Sequence, residues 1–275
     1  MPARVDLYDT SYRHFAAAAE AAVRAETYGE DLGQSSWLTA DEWRDDVALL
    51  GLAPADHVLE VGSGSGGPAV FLARAAGCRV TGVDVNAHGV ANAEALARAE
   101  GLADRVSFTA LDAGRPLPFA DGGFDAVVSN DAVCHLPDRA AVLREWHRVL
   151  RPGGRVLFTD AMVVTGVVSD EELAVRSSIG RYVFVPPGLN ERLVTEAGLA
   201  LVRADDVTEN AEAVSARWRA ARARHRDALV SGEGAANFDG LQAFLACVHA
   251  LSAERRLTRW RYLARRPPEG GPDPA

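Results

Sequence analysis

The chain of 275 residues is poor in cysteine and short of positive charge. Its three cysteines, Cys78, Cys134 and Cys247, are far apart, so they form neither a disulfide framework nor a C-x-x-C metal or redox pair. Lysine and arginine number 29 against 38 acidic residues, which gives a formal net charge of −9. Proteins that bind phosphate backbones depend on clustered Lys and Arg. We therefore expect small molecules or proteins, and not nucleic acid, as partners.

Long apolar runs are also missing. No stretch approaches the ~20 residues that cross a bilayer, and the N-terminus, MPARVDLYDTSYRHF, lacks the basic start, apolar stretch and cleavage site of a signal peptide. We expect no membrane association and a cytoplasmic location. Hydrophobic residues make up 48% of the chain, which is enough for a sizeable core.

Strands and helices alternate in the middle of the chain. The segments DHVLEV, CRVTGVDV, RVSFTAL, FDAVVSN and RVLFTDAM predict five strands, with helices over 67–76 and 87–100 after the first two. DRAAVLREWHRVL predicts a helix between the last two strands. This alternation implies a parallel sheet with helices on both faces.

The flanks on either side are mainly helical. Residues 11–28 predict one helix and residues 39–52 another, the second with Thr39 as N-cap and Glu42 at the capping-box position. The C-terminal part predicts helices near 169–178, 188–197, 209–231 and 238–252, and strands at LALVRADDV and RRLTRWRYLARR. The helix over 209–231 spreads its arginines over several faces, and we expect it to be solvated or to line an oligomer interface.

The segment VLEVGSGSGGPAVFLARAAG, residues 58–77, holds five glycines. Gly62, Gly64 and Gly67 fit the G-x-G-x-x-G of a dinucleotide site, whereas Gly62, Gly64 and Gly66 fit a plain G-x-G-x-G. Glycines between a buried strand and a helix let the backbone approach a ligand closely. The loop by itself therefore fits either a dinucleotide or a single nucleoside.

Acidic residues after the next two strands distinguish these ligands. Asp84 ends the second strand, 20 residues after Gly64, where it can accept hydrogen bonds from both ribose hydroxyls in either case. Asp112 closes the third strand, where its carboxylate can accept a hydrogen bond from the exocyclic amine of an adenine lying against Val85 and Ala113. Nothing basic stands near the loop to meet a pyrophosphate. A single nucleoside with a zwitterionic amino-acid end is thus favoured.

With these motifs the chain resembles class I methyltransferases that use S-adenosyl-L-methionine. VLEVGSGSGG is similar to their glycine motif, VDV to the ribose motif, LDA to the adenine motif, and LRPGGRVLFTD to the entry into strand five. The resemblance implies an α/β fold with a Rossmann-like seven-stranded, mostly parallel sheet whose last strand is antiparallel, a helical N-terminal flank and a helical lid insertion. The cofactor-binding residues it implies are Gly62, Ser63, Gly64, Asp84, Val85, Asp112, Ala113 and Asn130, with Glu60 supporting the loop.

Three further segments, NDAVCHLPDR, YGEDLGQSSW and RLTRWRYLARR, look like the small-molecule branch that contains phosphoethanolamine, sarcosine or dimethylglycine, and natural-product methyltransferases. This resemblance implies that Tyr28, Gln34 and Ser35 lie near the methionine end of the cofactor. It divides the chain into a flank over 1–52 that closes the cofactor site, a core over 53–266 and a disordered tail over 267–275. The core carries a lid at about 163–190 and a helical insertion at 209–252.

Candidate catalytic residues follow strands four and five, where the acceptor must lie. His135 is the candidate base, because an imidazole titrates near neutral pH; the alternative is a histidine that caps a helix or binds a backbone carbonyl. Asp160, at the end of strand five, is predicted to orient and polarise it. In phosphoethanolamine enzymes a tyrosine of the first helix pairs with the loop histidine, and Tyr12 is the nearest equivalent.

The lid contributes Arg176, Arg181, Tyr182 and Phe184. Arginine forks bind carboxylate or phosphate, so an anionic acceptor fits, although arginines of this kind are more often solvated. Asp131, His135 and Asp160 are an incomplete set of metal ligands, and we predict no metal.

These observations predict methyl transfer from S-adenosyl-L-methionine to an O, N or C atom of a metabolite or natural product. An NAD-dependent oxidoreductase and a catalytically silent nucleoside-binding protein are the alternatives. A homo-oligomer is compatible with each of these three functions.

Overall fold

The structure, a computed structural model, describes residues 5–268. Within that range it contains eleven α-helices and seven β-strands. The helices are α1 (Tyr8–Arg13), α2 (Ala18–Tyr28), α3 (Ala40–Leu50), α4 (Gly67–Ala76), α5 (Ala87–Ala99), α6 (Arg139–Val149), α7 (Asp170–Arg176), α8 (Leu189–Glu196), α9 (Thr208–Arg224), α10 (Arg226–Glu233) and α11 (Ala235–Ala253). The strands are β1 (His57–Val61), β2 (Arg79–Asp84), β3 (Val106–Ala110), β4 (Phe124–Ser129), β5 (Leu150–Val164), β6 (Ala200–Asp206) and β7 (Leu257–Arg265).

The seven strands form one sheet of order β3-β2-β1-β4-β5-β7-β6. The strands from β1 to β5 pair in parallel, whereas β7 runs antiparallel to both β5 and β6. This confirms the predicted Rossmann-like sheet with an antiparallel last strand. Because the strand order reverses between β1 and β4, the carboxyl ends of these two strands border the crevice where α/β proteins bind ligands.

Helices cover both faces of the sheet, as strands with apolar residues on both sides require. Successive residues of a strand point to opposite faces. Val58 of β1 accordingly packs with residues of α4 and α5, and its neighbour Leu59 packs with Trp146 of α6 on the other face. A third apolar cluster joins the N-terminal flank to α9 and α11 and includes Trp37 and Phe244.

The N-terminal flank differs from the prediction of one helix over 11–28. α1 ends at Arg13, Ala17 has extended backbone angles (φ −66°, ψ 141°), and α2 begins at Ala18. α1 packs against α5, whereas α2 packs against α9. The chain must turn between these segments because they contact different parts of the core, and the alanine-rich sequence carries no sign of that turn.

The helix predicted over 209–231 is likewise two helices, which meet at His225. The expectation that its arginines are solvated is wrong for Arg222, which is 1% exposed and forms an ion pair with Glu233 of α10. This ion pair joins α9 to α10 across the bend.

Three sequence expectations concern membranes, thiols and the tail. Within residues 5–268 no helix is long and apolar enough to cross a membrane. All three cysteines are free. Of the tail predicted to be disordered, residues 269–275 lie outside the described residues.

A buried ionic network ties the flank to the sheet. Arg259 of β7, 0% exposed, donates from Nε to Asp131 Oδ1 (2.8 Å) and from Nη1 to both carboxylate oxygens of Glu42 in α3 (2.6 and 2.9 Å). Its Nη2 also donates to Thr159 of β5 (3.2 Å). The second oxygen of Asp131 accepts the backbone N–H of Trp37 (3.1 Å). One guanidinium therefore connects four elements: helix α3, strand β5, strand β7 and the loop that follows β4.

We expect Arg259→Met to lower the free energy of unfolding by ~3–5 kcal/mol, because it leaves two carboxylates buried without their counter-charge. Urea unfolding followed by circular dichroism measures this loss. Arg192→Met is the control: Arg192 pairs with Glu196 at an exposed site on α8, so its loss is expected to stay within about 0.5 kcal/mol. A loss at Arg259 no larger than at Arg192 would contradict the role given to the network.

Candidate active site

A cavity of about 440 Å³ lies at the carboxyl ends of the parallel strands, where the strand order reverses. Segments that follow β1, β2, β3 and β4 line one side, and the N-terminal flank, the lid, α9 and α11 line the other. The cavity therefore lies between the edge of the sheet and these helical elements and is partly open to solvent.

Two of the glycines border this cavity, and a third serves packing. Gly62 and Gly64 line it with positive φ angles of 78° and 51°. A Cβ atom on Gly64 would stand 2.7 Å from the hydroxyl of Tyr12. A Cβ on Gly67, by contrast, would fall 1.5 Å from the carbonyl oxygen of Leu32 in the N-terminal flank. Gly67, the residue that completed the dinucleotide motif, is thus accounted for by the close approach of the flank.

Asp84 is held at the end of β2 by backbone N–H groups. Its Oδ2 accepts from Gly64 and its Oδ1 from Asn86, both at 2.8 Å. Burial raises the pKa of this carboxyl above its usual value. Each oxygen retains a further lone pair, so the carboxylate can accept two more hydrogen bonds from a ligand in the cavity.

The next part of the lining has an apolar wall beside an acidic residue. Val85 is 76% exposed, which is unusual for a large apolar side chain, and it lines the cavity together with Ala113. Asp112 is exposed beside them, and its Oδ1 accepts the N–H of Gly114 (2.9 Å). The combination suits a flat heteroaromatic ring with an amino group at its edge.

Three buried polar side chains of the lining have atoms without a hydrogen-bond partner among the described residues. These atoms are Glu60 Oε2, Ser63 Oγ, and both Oδ1 and Nδ2 of Asn130. Burial and the negative charge of Asp84 raise the pKa of Glu60 to about 8. Buried polar atoms are nearly always hydrogen-bonded. A ligand with both donors and acceptors would therefore satisfy this cluster.

The flank residues predicted near the same ligand divide into two groups. Tyr12, Gln34 and Ser35 line the cavity. Tyr28 does not border it, which corrects the prediction: its hydroxyl donates to the carbonyl of Ser36 (2.9 Å). Tyr28 therefore supports the segment that carries Gln34 and Ser35.

His135, in a 3-10 turn (Val133–His135) after β4, forms hydrogen bonds through both ring nitrogens. Nδ1 lies 2.9 Å from the carbonyl oxygen of Arg181, and Nε2 lies 3.0 Å from the hydroxyl of Tyr8. A carbonyl only accepts, so Nδ1 carries the proton and Nε2 accepts from Tyr8. Burial lowers the pKa of His135, and the charge of Arg176 lowers it further. The ring is thus a neutral base with its lone pair directed at a tyrosine.

The tyrosine that pairs with His135 is Tyr8 and not Tyr12, the expected equivalent. The two residues lie one turn apart on α1, and both line the cavity. Tyr12 lies nearer the glycine loop, against Gly64, whereas Tyr8 meets His135 edge-on with ring centroids 5.5 Å apart. Residues four apart share a helix face, so the sequence could not decide which of them reaches the histidine.

Asp160 does not orient His135. It is 0% exposed, forms an ion pair with Arg139 of α6, and accepts from Asn190 Nδ2 (2.8 Å). Its second oxygen accepts the backbone N–H of Met162 (3.0 Å). The prediction failed because Arg139 and Asn190, from other elements, surround this carboxylate at the end of its strand. Asp131 and Asp160, considered above as metal ligands beside His135, are thus each engaged by a different arginine.

Arg176, expected to be solvated, is instead 1% exposed and lines the cavity. Glu172, four residues earlier on α7, is the partner that helix spacing suggests. That glutamate forms two hydrogen bonds of 2.7 Å with Arg256 instead. The burial of Arg176 therefore has no signal in the sequence.

The strand order, the glycine loop and the acidic residues after β2 and β3 define a class I methyltransferase fold. Residues 59–158 match the family model of a methyltransferase domain.

Curated relatives match the same region. Methyltransferase GfsG of Streptomyces halstedii is 40% identical over 169 residues, 58% of this chain and 58% of that protein. The 27-O-demethylrifamycin SV methyltransferase of Amycolatopsis mediterranei is 35% identical over 168 residues, 59% of this chain and 61% of that protein. The matched segments thus span less than two thirds of either relative.

A solved structure from Galdieria sulphuraria, assigned as a sarcosine dimethylglycine methyltransferase, superimposes with a TM-score of 0.80. It covers 95% of this chain and 99% of its own, at 22% identity. This similarity shows that the fold extends over nearly the whole chain.

We expect long-range proton–nitrogen NMR correlations to show His135 protonated at Nδ1 and neutral at pH ~6.5, the usual midpoint of a histidine, because burial and the charge of Arg176 disfavour the imidazolium form and lower the pKa. A histidine in a short unstructured peptide serves as the reference. Protonation at Nε2, or a midpoint for His135 above that of the peptide histidine, would contradict the assignment.

Proposed function

We propose that the protein binds S-adenosyl-L-methionine and transfers its methyl group to a small-molecule acceptor. The observation that carries this proposal is the cluster of unsatisfied polar atoms on Glu60, Ser63 and Asn130 beside the carboxylate of Asp84. These groups line one cavity with the exposed apolar face of Val85. A nucleoside with an amino-acid end offers the donors and acceptors that this arrangement lacks.

In this proposal Asp84 holds the ribose hydroxyls, and Asp112 holds the adenine amine with Val85 and Ala113 against the ring. The backbone of Gly62 and Gly64, together with Ser63 and Asn130, faces the amino-acid end, which Gln34 and Ser35 cover from the flank. When bound, the cofactor supplies an electrophilic methyl group on a positively charged sulfur.

The chain's own contribution to the reaction is placement and proton removal. The cavity holds the acceptor atom in line with the methyl group, which can provide most of the rate enhancement. His135 is neutral with Nε2 as the acceptor of the Tyr8 hydroxyl, and both residues line the cavity. We propose that the acceptor's proton passes to Nε2 through the hydroxyl of Tyr8 as the new bond to the methyl group forms. Tyr8 thereby remains uncharged, in keeping with the rise in its pKa caused by burial.

Two finer points belong to the same proposal. The named relatives include a methyltransferase of rifamycin formation, and we propose a natural product or related metabolite as the acceptor. We also propose a cytoplasmic location, which the three free cysteines support.

We expect calorimetric titration to show that S-adenosylhomocysteine binds the protein and that NADH does not. Asp84→Asn should weaken the binding of S-adenosylhomocysteine about tenfold or more, because it removes the charge from the acceptor of two hydrogen bonds. Asp104→Asn, at an exposed position after α5, should bind like the unaltered protein. Binding of NADH in place of S-adenosylhomocysteine would refute the proposal.

We expect His135→Ala to lower turnover about 100-fold or more, while the affinity for S-adenosylhomocysteine changes less than about twofold. Methyl release from labelled cofactor, measured over a panel of acceptors, tests this. His88→Ala, on the exposed face of α5, is the matched control. Equal losses of turnover and cofactor affinity would mean that His135 shapes the cavity and is not the base.

A further inference from the structure

We propose that Arg176 is the binding site for one anionic oxygen group, a carboxylate or a phosphate, on an acceptor whose body is otherwise apolar. This inference rests on the proposed function, because it concerns the acceptor side of the same cavity. It names the chemical class of the acceptor, which the cofactor site leaves open.

Arg176 differs from the other fully buried arginines of residues 5–268. Each of those has a carboxylate partner: Arg139 pairs with Asp160, Arg222 with Glu233, and Arg259 with Glu42 and Asp131. Arg176 forms no salt bridge to any described residue, and its Nε and Nη1 have no hydrogen-bond partner there. An unpaired buried charge is strongly destabilising. A counter-charge delivered by a ligand removes that cost.

The aromatic rings around Arg176 compensate its charge only in part. Its Cζ lies 4.5 Å from the ring centroid of Tyr182, 5.0 Å from Phe244 and 5.9 Å from Trp37. Cation–π attraction offsets part of the charge but leaves the N–H groups at Nε and Nη1 without an acceptor among the described residues. A carboxylate or phosphate oxygen is the charge-assisted acceptor that guanidinium N–H groups bind.

Apart from Tyr8, His135 and Tyr182, the lining around Arg176 is largely apolar. The apolar residues are Leu7, Trp37, Ala161, Met162, Ile179, Trp218 and Phe244. The acidic side chains of the lining other than Asp131 are Glu60 in β1, Asp84 at the end of β2 and Asp112 after β3, all on the cofactor side, and Asp112 is paired with Arg115. Asp131 is neutralised by Arg259, so no described residue offers an ammonium group a free counter-charge on the acceptor side. The walls therefore fit an apolar anion better than a small zwitterion.

Three fragments of one shape test the proposal: 2-naphthoate, 2-naphthamide and 2-naphthyl phosphate, titrated by ligand-observed NMR with and without S-adenosylhomocysteine. We expect the better of the two anions to bind at least about tenfold more tightly than the amide, since only the anions provide a charge-assisted bond to the guanidinium. The anion that binds more tightly shows whether the site prefers a carboxylate or a phosphate. Equal binding of all three fragments, or binding of none at millimolar concentration, would overturn the proposal.

Variants of Arg176 test whether this residue causes the preference for an anion over the amide. Arg176→Met should bring the ratio between anion and amide to about one, whereas Arg176→Lys, which keeps the charge without the planar fork, should retain part of it. Arg192→Met, at an exposed site on α8, should leave it unchanged. A preference that survives in Arg176→Met would assign the anion site elsewhere and overturn the proposal.

Cofactor titrations separate this proposal from the proposed function. Arg176→Met should bind S-adenosylhomocysteine normally, which also shows that the variant is folded. A weaker affinity for S-adenosylhomocysteine, with unchanged affinity for 5′-methylthioadenosine, would mean that Arg176 holds the cofactor's carboxylate and would refute the acceptor site. If the unaltered protein binds no S-adenosylhomocysteine, the proposed function fails, while the fragment titrations without it still report on Arg176.

Discussion

The active-site region depends on the matching of buried charges. Arg259 neutralises Glu42 and Asp131 at once and thereby joins the N-terminal flank to the loop after β4. Asp131 has a left-handed φ of 54°, which costs energy in a residue other than glycine and is maintained by the hydrogen bonds to its side chain and backbone. Its neighbours in the chain include Asn130 and the turn that ends at His135. The geometry of both sides of the cavity therefore follows from one arginine.

The cavity has two regions of different chemistry. The region along β1, β2 and β3 combines acidic side chains, glycine backbone and unsatisfied polar atoms, and it suits a polar nucleoside. The region beside α7 and α11 is largely apolar and contains Arg176, a buried arginine without a salt bridge to any of residues 5–268. His135 and Tyr8 lie with Arg176 in the lining contributed by α1, the loop after β4 and α7.

Predictions from sequence succeeded where short-range patterns carry the information. The alternation of strands and helices indicated the sheet, and the residues that end β1, β2 and β3 were placed at the cavity because parallel strands bring their carboxyl ends to one edge. They failed for Asp160, Tyr28 and the Tyr8–Tyr12 choice. For Asp160 and for Tyr8 the partner of the side chain comes from a distant segment: Arg139 and Asn190 for Asp160, and His135 for Tyr8. Tyr28 instead bonds to Ser36 in its own flank.

The sequence by itself determined the class of fold and the cofactor side of the cavity, because glycine spacing and strand-end carboxylates act through backbone geometry that is local. The tertiary structure alone decided which charges are paired. Glu172 bonds to Arg256 instead of the arginine on its own helix, so Arg176 is left buried without a salt bridge to any residue of 5–268. Charge pairing in a low-dielectric interior depends on distances between segments far apart in the chain, and the order of residues does not contain those distances.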